Sequence, residues 1–433
     1  MTSTAHERLL RAEQGTGTGG PVVALATVLL VLVPLVPRPT FGGAVALVAP
    51  LVGAAFVYLA VLTVGRRVSE HLATKRVLMS GCFIAVAVAT MLYAARVGIR
   101  VERPETGYVI SRVLLVLFIV ACCCLFAGPA LDVGIRRFMW GVIPLAILVG
   151  FLALTGMTFL EPVSPSRTLG ATFPWFKTSG VPRSFGEQAI LLSMALAYVL
   201  CYWNRLGRLF RATLLVSCIV ILAAGQSRNM MLAALAVVLM WFLVVRLRAR
   251  AVIRPALVAA MAATFVVQLL LPRLSDFAVV RALVGENVFQ RNVSIRFTLA
   301  QEAGESIVSD WFGILFGNSH ADWFKEVGLD AGVHNFFLGE LLFLGVVGGA
   351  LTVWGFFIRP LGVVTRILMD RQTHDRERIR RADFAVTAGV GVLISLNFYE
   401  GFFSLILGVY IALLWQLMLG RDTATSGESD DRR

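Results

Sequence analysis

The sequence predicts an all-α polytopic membrane protein with about twelve transmembrane helices and a long outer loop that carries an amphipathic helix. Hydrophobic residues make up 58% of the 433 positions and charged residues only 15%. The mean hydropathy of +0.80 is higher than a soluble core requires. The apolar residues also fall in runs close to the length of about 17–25 residues that a helix needs to cross a bilayer.

These runs predict the transmembrane helices in chain order. We place spans at 21–36, 42–64, 77–95, 109–128, 138–157, 187–203, 212–225, 230–245, 255–271, 336–358, 384–396 and 402–419. The segments between and beyond them are a cytoplasmic N-terminus at 1–20, an outer loop at 158–186, a large outer loop at 272–335 and a tail at 420–433. The tail is rich in Ser, Thr, Gly and Asp, a composition typical of disorder, and we expect it in the cytoplasm.

The basic residues predict the orientation. Most of the 39 Lys and Arg fall in short loops between spans, such as Arg205, Arg208 and Arg211, whereas the two long loops are not basic. The positive-inside rule then places both termini in the cytoplasm and the long loops outside, in a multi-pass protein of the cytoplasmic (inner) membrane. The net charge of +13 is interpreted as this topology signal, and no nucleic-acid partner is expected.

The large outer loop has helical periodicity over residues 293–308. Ser294, Thr298 and Glu302 gather on one face of that helix, whereas Arg296 falls within the apolar arc. An arginine placed there either snorkels to lipid headgroups or faces an anionic ligand held between the helix and the bundle.

A polar interruption from Gly225 to Asn229 separates two apolar runs that leave no room for a free loop. Arg228 is therefore expected at or just inside the outer boundary of the bilayer. A charge deep in a membrane costs about 2.5–3.5 kcal/mol on insertion scales, so Arg228 is a functional candidate. The alternative is an arginine that only marks a turn at the interface.

His334 and Asn335 close the large loop just before the tenth span, and that span contains Glu340. The proton equilibrium of histidine lies near neutrality, which suits acid–base chemistry. The alternative is a helix cap in which Asn335 binds free backbone N–H groups.

Two arginines and a histidine assigned to one face suit diphosphate chemistry, because arginine forks match phosphate oxygens bidentately. The sequence has no Asp-rich motif, no His, Asp or Glu cluster with metal-ligand spacing and no Gly-rich P-loop. No metal and no cofactor are expected.

Residues 212–358 resemble the superfamily of O-antigen ligases and O-antigen polymerases. The resemblance lies in an apolar helix that ends in Ser227 and Arg228, a second helix, a long outer loop with an arginine-bearing helix at 296–311, a segment around Gly317, and His334 with Asn335 at the next helix. The sequence departs from the family pattern at Asn229, where a small residue is common, and at Gly317, where a Gly-x-Gly is often seen. These departures bear on the subfamily more than on the superfamily.

The resemblance implies roles for these residues. Arg228 and Arg296 would hold the diphosphate of an undecaprenyl-linked donor, and His334 would act on the acceptor hydroxyl. We add four candidate substrate-binding residues: Arg291, Asn229, Asn335 and Glu340.

The expected function is a membrane glycan ligase or polymerase that transfers a glycan on the outer face without a metal and with inversion. Its partners would be a lipid-linked glycan donor, a glycan or lipid-sugar acceptor, and membrane lipids. The sequence is compatible with both a ligase and a polymerase. The main alternative is a twelve-helix secondary transporter or flippase for lipid-linked or anionic glycans, and a third is a non-catalytic scaffold.

Overall fold

A computed structural model describes residues 30–35, 76–100, 103–125, 130–155, 185–225, 227–274, 311–317, 335–370, 374–398 and 404–420. These residues are almost wholly helical, and no strand occurs among them. The predicted all-α class is confirmed for this part of the chain.

Thirteen α-helices make up the described part. They are α1 (Gly81–Arg100), α2 (Arg103–Leu125), α3 (Ala130–Trp140), α4 (Val142–Thr155), α5 (Phe185–Cys201), α6 (Arg208–Gly225), α7 (Arg228–Trp241), α8 (Ile253–Leu274), α9 (Trp311–Phe316), α10 (Phe336–Val353), α11 (Arg359–Met369), α12 (Arg376–Leu396) and α13 (Leu405–Leu419). Single π-helical turns extend α7 over Phe242–Arg246 and join α10 to α11 over Trp354–Ile358.

Within the described ranges, four helical segments are by length and composition able to cross a membrane: Leu131–Phe151, Arg208–Gly225, Asn229–Arg246 and Phe336–Met369. Shorter apolar helices accompany them in α1, α2, α5 and α13. A membrane protein is therefore supported, whereas the count of about twelve spans stays a prediction.

Three helices meet closely at the centre of the bundle. A Cβ atom placed on Gly391 of α12 would lie 2.5 Å from the Ser193 hydroxyl oxygen of α5 and 2.6 Å from a methyl group of Val237 in α7. Any side chain at Gly391 would force these helices apart. The absence of a side chain there is what lets α12 lie against both neighbours.

Polar contacts gather several loops at one end of the bundle, which we call the basic end. Arg381 bonds Asp132 at 2.6 Å, and Asp132 also accepts a hydrogen bond from Tyr202 at 3.3 Å. Arg250 donates to the Met369 carbonyl, and further pairs join Arg205 to Glu377 and Arg378 to the Gly420 carbonyl. The starts of α3 and α12, the ends of α5, α11 and α13, and the segment after α7 therefore share one end of the bundle, as helices that cross in alternating directions require.

Tyr202 lies in this polar network just beyond α5. Burial, followed by the nearby Asp132 carboxylate, raises the pKa of the Tyr202 phenol well above its ordinary value. The phenol therefore stays protonated and remains a donor to Asp132 across the physiological range.

The predicted span 336–358 is not one straight helix. Gly345 has φ 66° and ψ −175° inside α10, and the chain reverses there into a first limb (336–344) and a second limb (346–353). The Phe336 and Phe357 ring centroids lie 5.9 Å apart, although a straight helix would separate these residues by about 30 Å. The prediction of an uninterrupted span was wrong, because hydropathy does not report the backbone conformation of one glycine.

Candidate functional site

The two limbs of α10 lie side by side below the turn at Gly345. A Cβ atom on Gly349 would lie 3.1 Å from the Glu340 carbonyl oxygen, so the limbs are in backbone contact. The first limb is about 14 Å long at 1.5 Å per residue, which is about half of a hydrocarbon core of about 30 Å. Asn335 therefore begins the first limb about 14 Å from the turn at Gly345.

The first limb is attached to the bundle by a buried ion pair. The Arg112 guanidinium of α2 donates to both carboxylate oxygens of Glu340, with distances of 2.8 and 3.0 Å. Arg112 is 8% exposed and Glu340 is fully buried. The bidentate geometry compensates much of the cost of desolvating both charges.

The same guanidinium also connects two other segments. It donates to the Thr90 hydroxyl of α1 at 3.2 Å and to the Thr352 hydroxyl of the second limb at 2.6 Å. One side chain therefore ties α1, α2 and both limbs together. We call Arg112, Glu340, Thr90 and Thr352 the Arg112 network.

A segment from the predicted outer loop docks onto the turn between the limbs. Gly317, with φ 81°, follows α9, and a Cβ atom on it would lie 2.4 Å from the Phe343 carbonyl carbon. Gly345 approaches the Leu315 carbonyl oxygen equally closely. Arg96 at the end of α1 donates to the Phe316 carbonyl at 3.0 Å, which fixes the segment to the bundle.

Asn335 is the N-cap of the first limb. Its Oδ1 accepts a hydrogen bond from the Leu338 backbone N–H at 3.0 Å, so the predicted cap contact is present. The residue is 3% exposed, and its Nδ2 has no hydrogen-bond partner among the described residues. A buried donor without an acceptor costs about 1–3 kcal/mol, which makes this position a candidate contact for a bound group.

The Ser227–Arg228 motif lies between two helices, in the polar interruption that the sequence shows, and Arg228 begins the second helix instead of ending the first. α6 ends at Gly225, Ser227 has extended backbone geometry, and Arg228 is the first residue of α7. Asn229 follows, and its Oδ1 is buried without a hydrogen-bond partner among the described residues. After Asn335, Asn229 is a second position where a buried polar side-chain atom has no hydrogen-bond partner among the described residues.

Gln188, which follows Glu187 at the start of α5, brings a further polar side chain close to this turn. Glu187 and Gln188 of α5 are both fully buried. The Gln188 Oε1 atom lies 3.4 Å from the position that a Cβ atom on Gly225 would take. The start of α5 therefore places a buried amide beside Gly225, the residue that ends α6.

Several predicted site residues lie outside the described part of the chain. These are Arg291, Arg296 and His334, and for Arg228 only the backbone is described. Their proposed roles stay predictions. Of the described candidates, Asn335 and Glu340 lie together on the first limb, whereas Asn229 lies at the junction of α6 and α7. The described contacts do not bring these two groups together.

Sequence reasoning missed Arg112 and Glu187. Arg112 is a charged residue inside the predicted span 109–128, a signal that was present in the sequence and that our site prediction did not use. Glu187 stands at the first position of a predicted span, where a carboxylate is ordinarily assigned to the interface.

Comparison with protein-family models finds no match to this chain, and comparison with curated proteins finds no matching relative. Within the described ranges, no three His, Cys, Asp or Glu side chains form a group suited to a metal ion. The resemblance to the O-antigen superfamily therefore rests on the order of its motifs.

Proposed function

We propose that this protein is a membrane glycan ligase or polymerase that transfers a glycan from an undecaprenyl-diphosphate donor to an acceptor hydroxyl. The proposal includes twelve spans, cytoplasmic termini and an outward-facing 272–335 loop in the cytoplasmic membrane. The observation that carries it is the first limb of α10, a half-helix whose buried start at Asn335 follows His334 directly.

The start of this limb suits an anionic substrate. The N-terminus of a helix carries partial positive charge, and in membrane proteins such half-helix starts point at anionic substrate groups. The unpartnered Asn335 Nδ2 adds a directed donor at the same position. A phosphate or sugar oxygen bound there would remove the cost of leaving this donor unpaired.

In the proposed reaction, the acceptor hydroxyl oxygen attacks the anomeric carbon of the donor sugar while His334 takes the hydroxyl proton. The bond between the anomeric carbon and the phosphate oxygen breaks, and the lipid diphosphate leaves with the electron pair. Arg228 and Arg296 stabilise the negative charge on the leaving group. A positioned base of this kind contributes about 10²–10⁴-fold in rate.

The contacts of Glu340 favour a reaction that inverts the anomeric configuration over one that retains it. Retention through a covalent intermediate would require a carboxylate free to attack the sugar. Both oxygens of Glu340 are bound to Arg112, so this carboxylate is a poor nucleophile. Asn229 and Arg291 are proposed to contact the substrate, and Glu340 to support the limb that presents Asn335.

The test uses purified protein in membranes with a defined lipid-linked donor, and follows donor binding and product formation separately. Asn335→Asp keeps the cap oxygen and removes the Nδ2 donor, so we expect normal folding with donor binding or turnover reduced at least tenfold. His334→Ala should abolish turnover and keep donor binding. Arg296→Lys should have reduced activity because lysine keeps the charge but cannot make the bidentate contact of a guanidinium with phosphate. Wild-type turnover in His334→Ala would remove the base from the mechanism.

A secondary transporter for anionic glycans is the second candidate function. It is favoured by the reversal at Gly345 and the buried Arg112–Glu340 pair, because broken helices and buried ionisable residues mark substrate paths in transporters. The two functions differ in their products. Formation of a new glycosidic bond by the purified protein supports the transferase, whereas movement of an unchanged glycan into sealed proteoliposomes supports the transporter.

The identity of the transferase follows from the glycans that accumulate when the protein is removed from cells. Single lipid-linked repeat units would indicate a polymerase, and finished lipid-linked chains would indicate a ligase. Unchanged lipid-linked glycans would contradict both.

A further inference from the structure

A cavity of about 590 Å³ opens at the basic end, where α8 meets α11. Its described lining consists of Arg254, Trp354, Ile358, Arg359, Gly362, Val363 and Arg366. We call it the arginine groove. Its volume lies within the range of about 300–1,000 Å³ that is typical of sites for small ligands.

The groove combines three cations with an apolar wall. Arg254, Arg359 and Arg366 are all exposed, and none of them forms an ion pair with a carboxylate in the described part of the chain. No described lining residue is acidic. Three neighbouring guanidinium groups that have no counter-ion among the described residues repel one another, and a bound anion would relieve that repulsion.

The wall of the groove is built to hold the cations in place beside an apolar surface. The Arg359 guanidinium lies over the Trp354 ring, 5.1 Å from its centroid, and its Nη1 lies 2.6 Å from where a Cβ atom on Gly81 would be. Ile358 is 50% exposed, so apolar surface stays open beside the charges. This pairing of guanidinium groups with open apolar surface matches a headgroup anion joined to an acyl chain.

We propose that the arginine groove binds an acidic phospholipid of the leaflet that adjoins the basic end. Its phosphodiester would contact Arg254, Arg359 and Arg366, and an acyl chain would lie along Trp354 and Ile358. Basic pockets between transmembrane helices hold acidic lipid headgroups in this way, and tryptophan is enriched at the membrane interface. The site is independent of the proposed transferase reaction.

The experiment titrates delipidated full-length protein with phosphatidylglycerol or phosphatidylethanolamine and counts bound lipids by native mass spectrometry. Phosphatidylglycerol should bind in preference to the zwitterionic lipid. The triple variant Arg254→Gln, Arg359→Gln, Arg366→Gln should bind it on the order of 100-fold more weakly, because each basic residue near a membrane surface contributes a factor of about five.

The matched control is the triple variant Arg208→Gln, Arg211→Gln, Arg246→Gln, which removes the same charge from the basic end outside the groove. It should keep the affinity of the wild-type protein, and an equal loss in both triple variants would overturn the site in favour of general surface charge. Glycerol phosphate tests whether a soluble anion occupies the groove. If it displaces phosphatidylglycerol at concentrations equal to those of the lipid, the proposal of a lipid ligand is refuted. If the groove variant does not fold, the single exposed change Arg366→Glu should still weaken binding more than fivefold, and unchanged binding would refute the proposal.

Discussion

Some buried polar side chains of this protein have their hydrogen-bond partners within the bundle and others do not. This difference distinguishes structural residues from candidate site residues. Every polar group of the Glu340 carboxylate and most of the Arg112 guanidinium have partners within the bundle. Asn335 and Asn229, in contrast, each keep one buried atom without a partner among the described residues. We therefore assign the Arg112 network to structure and propose the two asparagines as substrate contacts.

The Arg112 network predicts a coupled effect on stability. Glu340→Leu should destabilise the protein by about 3–5 kcal/mol, because it leaves a guanidinium buried without its counter-ion. The double variant Arg112→Met, Glu340→Leu should be more stable than Glu340→Leu alone, since neither charge remains. A double-mutant cycle on thermal unfolding in detergent measures this coupling.

Thr365→Val is the matched control for this cycle. Thr365 is a buried threonine whose hydroxyl donates to the Leu361 carbonyl outside the network, so its loss should cost about 1 kcal/mol. Additive effects of the Arg112 and Glu340 substitutions would contradict the pairing.

At the scale of elements, the docking of α9 onto the turn of α10 depends on two glycines. Gly317 and Gly345 both have positive φ and both face backbone atoms at less than 3 Å from an added Cβ. A side chain at either position meets conformational strain and a steric clash together. The backbone of the segment at 311–317 is thereby held against the turn.

Gly317→Ala should weaken this docking by about 1–3 kcal/mol. We expect faster hydrogen–deuterium exchange in peptides that cover 311–317 and 340–350. Gly207→Ala is the control, because no atom lies within 4 Å of a Cβ at that position. Equal exchange in Gly317→Ala and wild-type protein would argue against the contact.

The reversal at Gly345 predicts a crosslink that a straight helix excludes. Cysteines placed at Phe336 and Phe357, in a protein cleared of its six native cysteines, should form an intramolecular disulfide on mild oxidation. Cysteines at Phe343 and Phe357 should not, because about 18 Å of helix separates the turn from Phe357. A mass change on oxidation in the first cysteine pair, and none in the second, would support the hairpin. If the first pair forms no disulfide, the span is a straight helix.

At the scale of the whole molecule, several described segments predicted to be cytoplasmic meet at one end of the bundle. Ion pairs such as Arg381 of α12 with Asp132 of α3 join segments that are far apart in sequence. Tyr202, Arg250 and Arg378 extend these contacts to the remaining loops of that end. The shared end agrees with the predicted alternation of helix directions, and the side of the membrane that it faces stays a prediction.

The positive-inside rule predicts that the basic end lies in the cytoplasm. In intact cells, an impermeant thiol reagent should label a cysteine placed at Ser319 and spare one placed at Thr373. Permeabilised cells provide the control, since both positions should then react. If only the cysteine at Thr373 is labelled in intact cells, the orientation is opposite to the predicted one and the proposed reaction on the outer face is contradicted.

Composition and periodicity determined the class of this protein, because apolar runs and basic loops are local properties of the chain. The break between helices around Arg228 was also predictable, and the cap at Asn335 was one of two alternatives, since polar residues at the ends of apolar runs signal helix boundaries. The grouping of basic loops at one end followed from the charge pattern in the same way.

Only the tertiary structure decided the rest, because it depends on contacts between residues far apart in sequence. Arg112 and Glu340 are 228 positions apart, and no local pattern pairs them. The reversal at Gly345 depends on one backbone conformation that Gly317 and the Leu315 carbonyl stabilise by close approach. A glycine in an apolar run is compatible with a straight helix or a sharp turn, and the packing of neighbouring segments selects between them.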